Sequence, residues 1–382
     1  MHVFNLTGQR PYGIADLAQV PTPRLLIFRD RVEGNLQKMR SYLETVAPGS
    51  GFLHLCPHIK TNKSSLLTSW MVRSGVGYFK STMREVDLAL AAGAKDIFVA
   101  YPLLTHEARD LARRMKDHSE VNFQVQIGSM AHARILAQIA VEESVRWSYF
   151  LDIDVGMHRT GMRPEKALQV FDEISQNSSF GFAGLHGYDG QNHFAQTSER
   201  REESQKSMAR LIGLARQFRA RKVHVPRIMA AGSPAYRFDL EILLQESPAE
   251  TLVQVSPGTW ILWDSDYEEL SPGEFEIAAV ILAQVMDVND LNLVTLNLGH
   301  KRWAAERGPV QVFSRPNLKV VSFSEEHTVL SHPADERFEV GEYVLIAPRH
   351  VCPTVNLYED FTLLGPGGEI ERVSSPVDGR NR

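Results

Sequence analysis

Residues 53–63 read LHLCPHIKTNK, an alternating apolar run of strand type that breaks at Pro57 and is followed at once by His58, Lys60 and Thr61. Proline has no N–H to give to a ladder, so a strand stops or bends there. A helix-like run through Leu66, Leu67 and Trp70 comes next. A lysine at the carboxyl end of a strand, just ahead of a helix, points into the mouth of an α/β barrel if the chain builds one. There its ammonium is disfavoured by burial, and the amine can hold a carbonyl as a Schiff base. The alternative is a solvated loop lysine, and the flanking chain decides between the two.

Working outward, strand and helix signals alternate. Upstream, Leu25–Phe28 is a short apolar strand and Val32, Leu36, Met39 and Leu43 have helical spacing. Downstream, strand types at 76–79, 97–100, 123–127, 147–153, 182–186, 227–230 and 252–255 alternate with helical runs. One of these, MREVDLALAAGA, is closed by Gly93, and the helix at 105–116 has Thr105 as a candidate N-cap. So many βα units favour a closed (β/α)8 TIM-type barrel over an open sheet. With residues 53–56 the candidates number nine for eight places, so one, the first or the last, is expected outside the barrel.

After Asp264 the texture changes to short strand-like runs at 277–282, 293–298, 319–323, 329–330 and 343–347, separated by Gly, Pro and Asn. That predicts a C-terminal all-β domain. The expected division is 23–265 for the barrel and 266–382 for the β domain, with residues 1–22 free to pack on it and a disordered tail from Ser374. With 43% hydrophobic and 23% charged residues and a net charge of -5, the chain has no electrostatic footprint for nucleic acid or an anionic membrane. No apolar run reaches the roughly 18 residues of a membrane span, and the N-terminus lacks signal-peptide character. The two cysteines, Cys56 and Cys352, lie far apart, so the expectation is a cytoplasmic chain with free thiols.

The polar clusters fall just after predicted barrel strands. DIDVGMHRTGM carries Asp152, Asp154 and Arg159, the last able to meet an anionic oxygen or to form a structural pair with an aspartate. GLHGYDGQNH carries His186, Tyr188 and His193. Small-residue loops at Gly232, Ser233 and Gly258 can cradle a phosphate with backbone N–H groups, and the last strands of a barrel are the usual place for one. In the β domain, His350 and Cys352 are two apart, and in extended chain they would point to one side as a soft pair suited to zinc. A lone HxC is too short to name a metal site.

PHIKT, DIDVGMHRTGM, GLHGYDGQNH, AGSPAY, VSPGTWILWDSDY, SEEH and HVCPTVNLYE occur in the order seen in one family. The chain resembles the D-threonine aldolase and D-serine dehydratase group of fold-type III pyridoxal-phosphate enzymes over roughly residues 20 to 365, with an alanine-racemase-like barrel followed by a β domain. The resemblance implies that Lys60 forms the internal aldimine, with His58 beside it, and that Arg159 lies by the cofactor ring. It implies that Tyr188 and His193 stand near the cofactor and the substrate's β-hydroxyl. It places Gly232, Ser233, Gly258 and Tyr267 around the phosphate, and makes His350 and Cys352 a divalent-metal pair (zinc or manganese). Departures from the family pattern are Cys56 in place of arginine, Asn62 in KTNK, and Asn297 in place of aspartate, while Lys301 keeps its place.

The activity that the resemblance implies is that of a lyase acting on small β-hydroxy-D-amino acids. Retro-aldol cleavage would give glycine and an aldehyde; β-elimination, as in a D-serine or 3-hydroxyaspartate dehydratase, would give a keto acid and ammonia. PTVNLYE and YDGQNH favour the aldolase, Cys352 the dehydratase. An amino-acid racemase of the same fold would not need HxC, and a non-catalytic pyridoxal-phosphate carrier would lack the β domain. A homodimer is the family expectation.

Overall fold

The computed structural model describes residues 1–5, 8–230, 232–289, 291–312, 315 and 317–380. The chain divides into two compact units, one made of Arg40–Lys60 and Leu67–Gly258, the other of Met1–Met39, Thr61–Leu66 and Thr259–Arg382.

The first unit is the α/β barrel that the sequence predicts. Seven strands stand in chain order, each parallel to the next: Phe79–Ser81, Asp96–Val99, Asn122–Ile127, Trp147–Ile153, Phe180–Gly187, Arg227–Ala230 and Leu252–Val255. The eighth place belongs to the stretch around Pro57, although it is not the regular strand expected there. Leu55 bridges Val255 on one edge strand, and His58 bridges Lys80 on the other. Cys56 N–H donates to Val255 O at 2.9 Å, while Lys80 N–H donates to Pro57 O at 3.0 Å. The proline interrupts the ladder, so the segment bonds one edge before it and the other edge after it. Both edges of the sheet are thereby closed.

Several expected boundaries move. The strand placed at 76–79 forms instead at Phe79–Ser81. Thr105 is the first residue of its helix rather than the cap; Glu107 holds the start by accepting Leu104 N–H at 3.2 Å. Gly93, at φ +87°, does follow the helix Val86–Ala91, in a conformation open to glycine. Inside the barrel, Cys56, Phe98, Phe150, Ala183 and Met229 form an apolar cluster, with the Phe98 and Phe150 rings 4.6 Å apart.

The second unit is built on a sheet ordered Lys319–Phe323, Thr328–Ser331, Leu293–Leu296, Ala279–Asn289, Arg24–Phe28, Asp360–Leu364 and Ile370–Pro376, with Tyr343–Ile346 also paired to Ala279–Asn289. Arg24–Phe28 is the strand that lies outside the barrel. It runs antiparallel to Ala279–Asn289 and parallel to Asp360–Leu364. Its apolar run is buried on both faces, a property it shares with barrel strands, so its pattern alone did not name its partners. Two short helices, Ser265–Leu270 and Val351–Asn356, accompany the expected C-terminal sheet. Part of the expected disordered tail is strand, through Pro376, and residues 381 and 382 lie outside the described ones. Tyr12 Oη donates to Ile277 O at 2.8 Å and Ala15 N–H to Gly368 O at 2.9 Å, tying the N-terminal residues into this unit. No helix among the described residues is long and apolar enough to cross a membrane.

Candidate active site

On top of the apolar cluster, barrel strands contribute a layer of polar side chains. His186 meets the edge of Phe98 with ring centroids 5.1 Å apart. Its Nδ1 lies 2.7 Å from Asp152 Oδ1, and Asp152 and His186 are paired in register on adjacent strands. Gln126 donates to Asp152 Oδ2 at 3.3 Å. On the other side of the ring, His186 Nε2 lies 2.7 Å from Lys80 Nζ, which also donates to Ser256 Oγ at 3.1 Å. Ser256 Oγ in turn donates a hydrogen bond to Ala230 O at 3.1 Å.

Burial of this chain of groups sets its protonation. It pulls the Lys80 ammonium down to about 7, with Lys60 and Arg159 pushing the same way and Asp152 opposing. His186 falls to about 4, through burial and then the Lys80 charge. Burial pushes Asp152 up, but the His186 and Thr160 hydrogen bonds and the Lys80 charge outweigh it, and the carboxyl stays below its ordinary value. A neutral imidazole must therefore donate through Nδ1 to Asp152 and accept at Nε2 from Lys80.

Around the mouth stand the residues singled out in the sequence. Lys60 is half-buried just beyond the closing bridge, and its N–H approaches His58 Nδ1 at 3.5 Å. Burial and the Lys60, Lys80 and His186 charges hold His58 well below the usual imidazole range, so it is neutral. Arg159 does not pair with Asp154, which is engaged in the turn, accepting from Gly156 N and His158 N at 3.0 Å each. The Arg159 guanidinium instead stands 5.0 Å from the centre of the Tyr188 ring, with Lys80 Nζ 5.6 Å from the same centre. Glycines make room for that ring, since a Cβ at Gly190 would fall 2.3 Å from Tyr188 Cε1, and one at Gly232 would fall 3.2 Å from Cε2. His193 is half-buried in the following turn.

The loops expected to cradle a phosphate differ in one respect from the expectation of free backbone donors. Gly232 N–H donates to Asp189 Oδ1 and Gly258 N–H to Ser233 Oγ, both at 3.1 Å. Beneath Gly232, Asp189 and Asp239 are both fully buried and both pushed up by burial, Asp239 further by the Asp189 charge. Two such carboxyls share a proton rather than ionise together.

The second unit carries its own constellation. His350 is extended, and Cys352 lies in the first turn of Val351–Asn356, so strand alternation is not what relates them. They nevertheless hydrogen-bond to each other. Burial pushes the Cys352 thiol up, but His350, Lys63 and Thr61 outweigh it and bring it to about 6. Thr61 Oγ1 is 3.1 Å from Cys352 Sγ, and Lys63 donates to Cys352 O at 2.7 Å. Glu306 Oε1 lies 2.5 Å from His350 Nδ1, the carboxylate–imidazole arrangement that orients metal ligands. Asp264 caps two backbone segments, accepting from Tyr267 N and Val351 N at 3.0 Å each, and burial pushes it up to about 7. Tyr267 is buried against Trp263, ring centres 5.3 Å apart. Among the described residues no cluster of three or more His, Cys, Asp or Glu side chains could hold a metal by itself.

The family model "Alanine racemase, N-terminal domain" matches residues 27–259. The chain belongs to this family. A second model, "Putative serine dehydratase domain", matches residues 278–364. A D-threonine aldolase from Arthrobacter sp. is 24% identical over 92% of this chain and 91% of its own length. A D-serine dehydratase from Dictyostelium discoideum is 21% identical over 94% of this chain and 98% of its own length. The crystal structure of D-threonine aldolase from Filomicrobium marinum superposes with a TM-score of 0.84 at 24% identity, covering 95% of this chain and 97% of that one. The resemblance to the D-threonine aldolase and D-serine dehydratase group is borne out.

Sequence reasoning named Asp152 and His186 within their motifs but gave them no role, and it passed over Lys80, Gln126, Ser256 and Glu306. A signal for Lys80 existed: a lysine in YFKS, directly after the apolar end of a strand. Lysine is rarely buried without a partner, and the partners are far away in the chain.

Proposed function

We propose that this member of the family is a pyridoxal-phosphate- and divalent-metal-dependent lyase that cleaves β-hydroxy-D-amino acids between Cα and Cβ, giving glycine and an aldehyde. The observation that carries the reading is the Cys352–His350 pair, a thiol brought to about 6 beside an imidazole backed by Glu306. Thiolate and imidazole suit a soft divalent ion, and a racemase of this fold would have no use for them. In the barrel, the half-buried Lys60 amine and the Tyr188 ring, with glycines along its edges, fit a planar pyridoxal group.

When bound, the cofactor supplies an electron sink for the α-carbon and the metal a Lewis acid for the β-hydroxyl. Lys60 would hold the cofactor, and Arg159 and Tyr188 would flank its ring. His58, kept neutral, adds no charge beside Lys60. Gly232 and Gly258 shape the phosphate loops, their N–H groups being engaged, and Ser233 is the side-chain candidate there. Tyr267 is assigned to the phosphate on the family pattern alone. His193 would take the proton of the β-hydroxyl. His350 and Cys352 would hold the metal.

A second reading draws on the same pair. The soft thiolate of Cys352 favours zinc and the dehydratase outcome, in which the β-oxygen leaves and a keto acid and ammonia form. Turnover of D-threonine, D-serine and D-alanine, with and without chelator, separates the readings. The expected result is glycine and acetaldehyde from D-threonine, abolished by chelation, with the visible cofactor band and the melting temperature nearly unchanged. Borohydride reduction and peptide mapping should place the pyridoxyl group on Lys60. Chelator-insensitive racemisation of D-alanine would overturn the proposal. A homodimer, measured by sedimentation, is part of the same proposal.

A further inference from the structure

Lys80 belongs to no role so far assigned, yet it is the least ordinary side chain in the barrel. It is 4% exposed, on a strand whose partner residue across the closing bridge is His58, two positions before Lys60. Its amine meets His186 Nε2, Ser256 Oγ and the face of Tyr188. A neutral amine matches both hydrogen-bond acceptors with its two N–H groups and keeps a lone pair; an ammonium carries one proton more. Behind it, Asp152 fixes His186 as an acceptor, so the amine is oriented by a carboxylate–imidazole chain.

Cleavage between Cα and Cβ has a proton requirement. When the bond breaks, its electron pair stays on Cα, the β-hydroxyl loses its proton as the aldehyde C=O forms, and Cα must gain a proton to become glycine. His193 accounts for the proton lost from oxygen. The proton gained by carbon needs a donor of its own.

We propose that Lys80 is the acid that delivers this proton to the α-carbon, poised by His186 and Asp152 and recharged from solvent after each turnover. The inference rests on the lyase reading above and adds to it a second functional lysine. Its titration near 7 suits a group that must both give and regain a proton near neutral pH. The charged and titratable groups that face it are Asp152 and His186, on two adjacent strands further round the barrel, His58, Lys60 and Cys56 on the closing segment, and Arg159 and Tyr188 on their loops.

The test runs the donation backwards, as exchange of the glycine α-proton for deuterium catalysed by the cofactor-loaded enzyme and followed by NMR. Glycine binding is followed separately through the change it causes in the visible cofactor band. Lys80→Met and Lys80→Arg should each slow exchange at least tenfold while glycine still perturbs the band with a Kd within about threefold of wild type. Arginine keeps the positive charge but cannot act as an acid near neutrality, so a role in charge balance alone predicts rescue by Lys80→Arg. In wild type, exchange should show a limb near pH 7. Asp152→Asn removes a charge that raises Lys80, so it should move that limb to lower pH, a readout available even if a Lys80 variant fails to fold. Exchange restored by arginine, unchanged by methionine, or with a limb indifferent to Asp152→Asn overturns the inference. Wild type showing neither cofactor band nor exchange would mean that the lyase reading itself has failed.

Discussion

The two cysteines occupy opposite environments. Cys56 sits in the apolar barrel cluster with Phe98, Phe150, Ala183 and Met229, and burial pushes its thiol up to about 12. Cys352 is only partly buried, and His350, Lys63 and Thr61 bring its thiol to about 6. Desolvation disfavours the thiolate in both places; the Arg227 and Lys80 charges do not offset it at Cys56, whereas Cys352 adds direct hydrogen bonds from His350 and Thr61. A buried cysteine without such partners is a small hydrophobe, and one with them is a candidate ligand. The same contrast recurs within the barrel, where the apolar cluster gives way to Lys80, His186 and Asp152, each matched to a partner.

The largest effect expected from this contrast is in alkylation. In chelator-treated native protein at pH 7, iodoacetamide should label Cys352 at least about a thousandfold faster than Cys56, since a thiol titrating near 12 is almost wholly protonated there. Peptide mapping reads the ratio; comparable labelling would erase the distinction. Next, the apolar cluster should respond as a packed core. Phe98→Ala is expected to destabilise by about 3–5 kcal/mol, read from urea unfolding, because the ring is fully buried against Phe150 and His186. A loss below about 1 kcal/mol would mean that the layer is loosely packed.

A smaller change tests the proposed ligand role of Cys352. Cys352→Asp exchanges a soft thiolate for a hard carboxylate, which should move metal preference from zinc toward manganese. The carboxylate donates less charge, so the substrate's β-hydroxyl should become more acidic, and the ratio of aldehyde to keto acid should rise. About 1.4 kcal/mol of differential effect would appear as roughly tenfold in product partitioning by mass spectrometry. An unchanged ratio with both proteins active would shift attention to Cys56, Asn62 and Asn297. Of these, Asn297 is already engaged: its side chain accepts from Gln284 N and donates to Thr22 Oγ1, both at 2.8 Å.

A pH dependence of stability is also expected from Lys80. Its folded value, about 7, lies below the unfolded one of 10.5, so the unfolded chain holds more protons between them and stability rises with pH across that window. The contribution is complete above about 10.5 and is lost as pH falls through about 7. The melting temperature of wild type relative to Lys80→Met should therefore climb by a few degrees between pH 7 and pH 9. A flat difference would indicate that Lys80 stays charged in the fold.

Local pattern carried much of the architecture. Trp147–Ile153, Arg227–Ala230 and Leu252–Val255 have the boundaries that their apolar runs predict, and Gly93 stands where its helix ends. These features depend on neighbours within a few residues, through side-chain period and backbone preference. The motifs likewise put Lys60, Arg159 and Tyr188 in one barrel, and Arg159 does face the Tyr188 ring.

Adjacent residues thus specified the repeat of elements, the change of texture after Asp264, and the residue types at the strand ends. Which partners those residues meet was left to tertiary packing. Packing placed Arg24–Phe28 beside a strand more than 200 residues later in the chain, as the register Leu26↔Val280 shows. It closed the barrel by sharing the segment around Pro57 between two edge strands. And it brought His186 and Ser256, separated from Lys80 by 106 and 176 residues, onto one amine. The cause is range: helix and strand periodicity is written in adjacent residues, whereas burial and the charge of a side chain depend on whatever the fold packs against it.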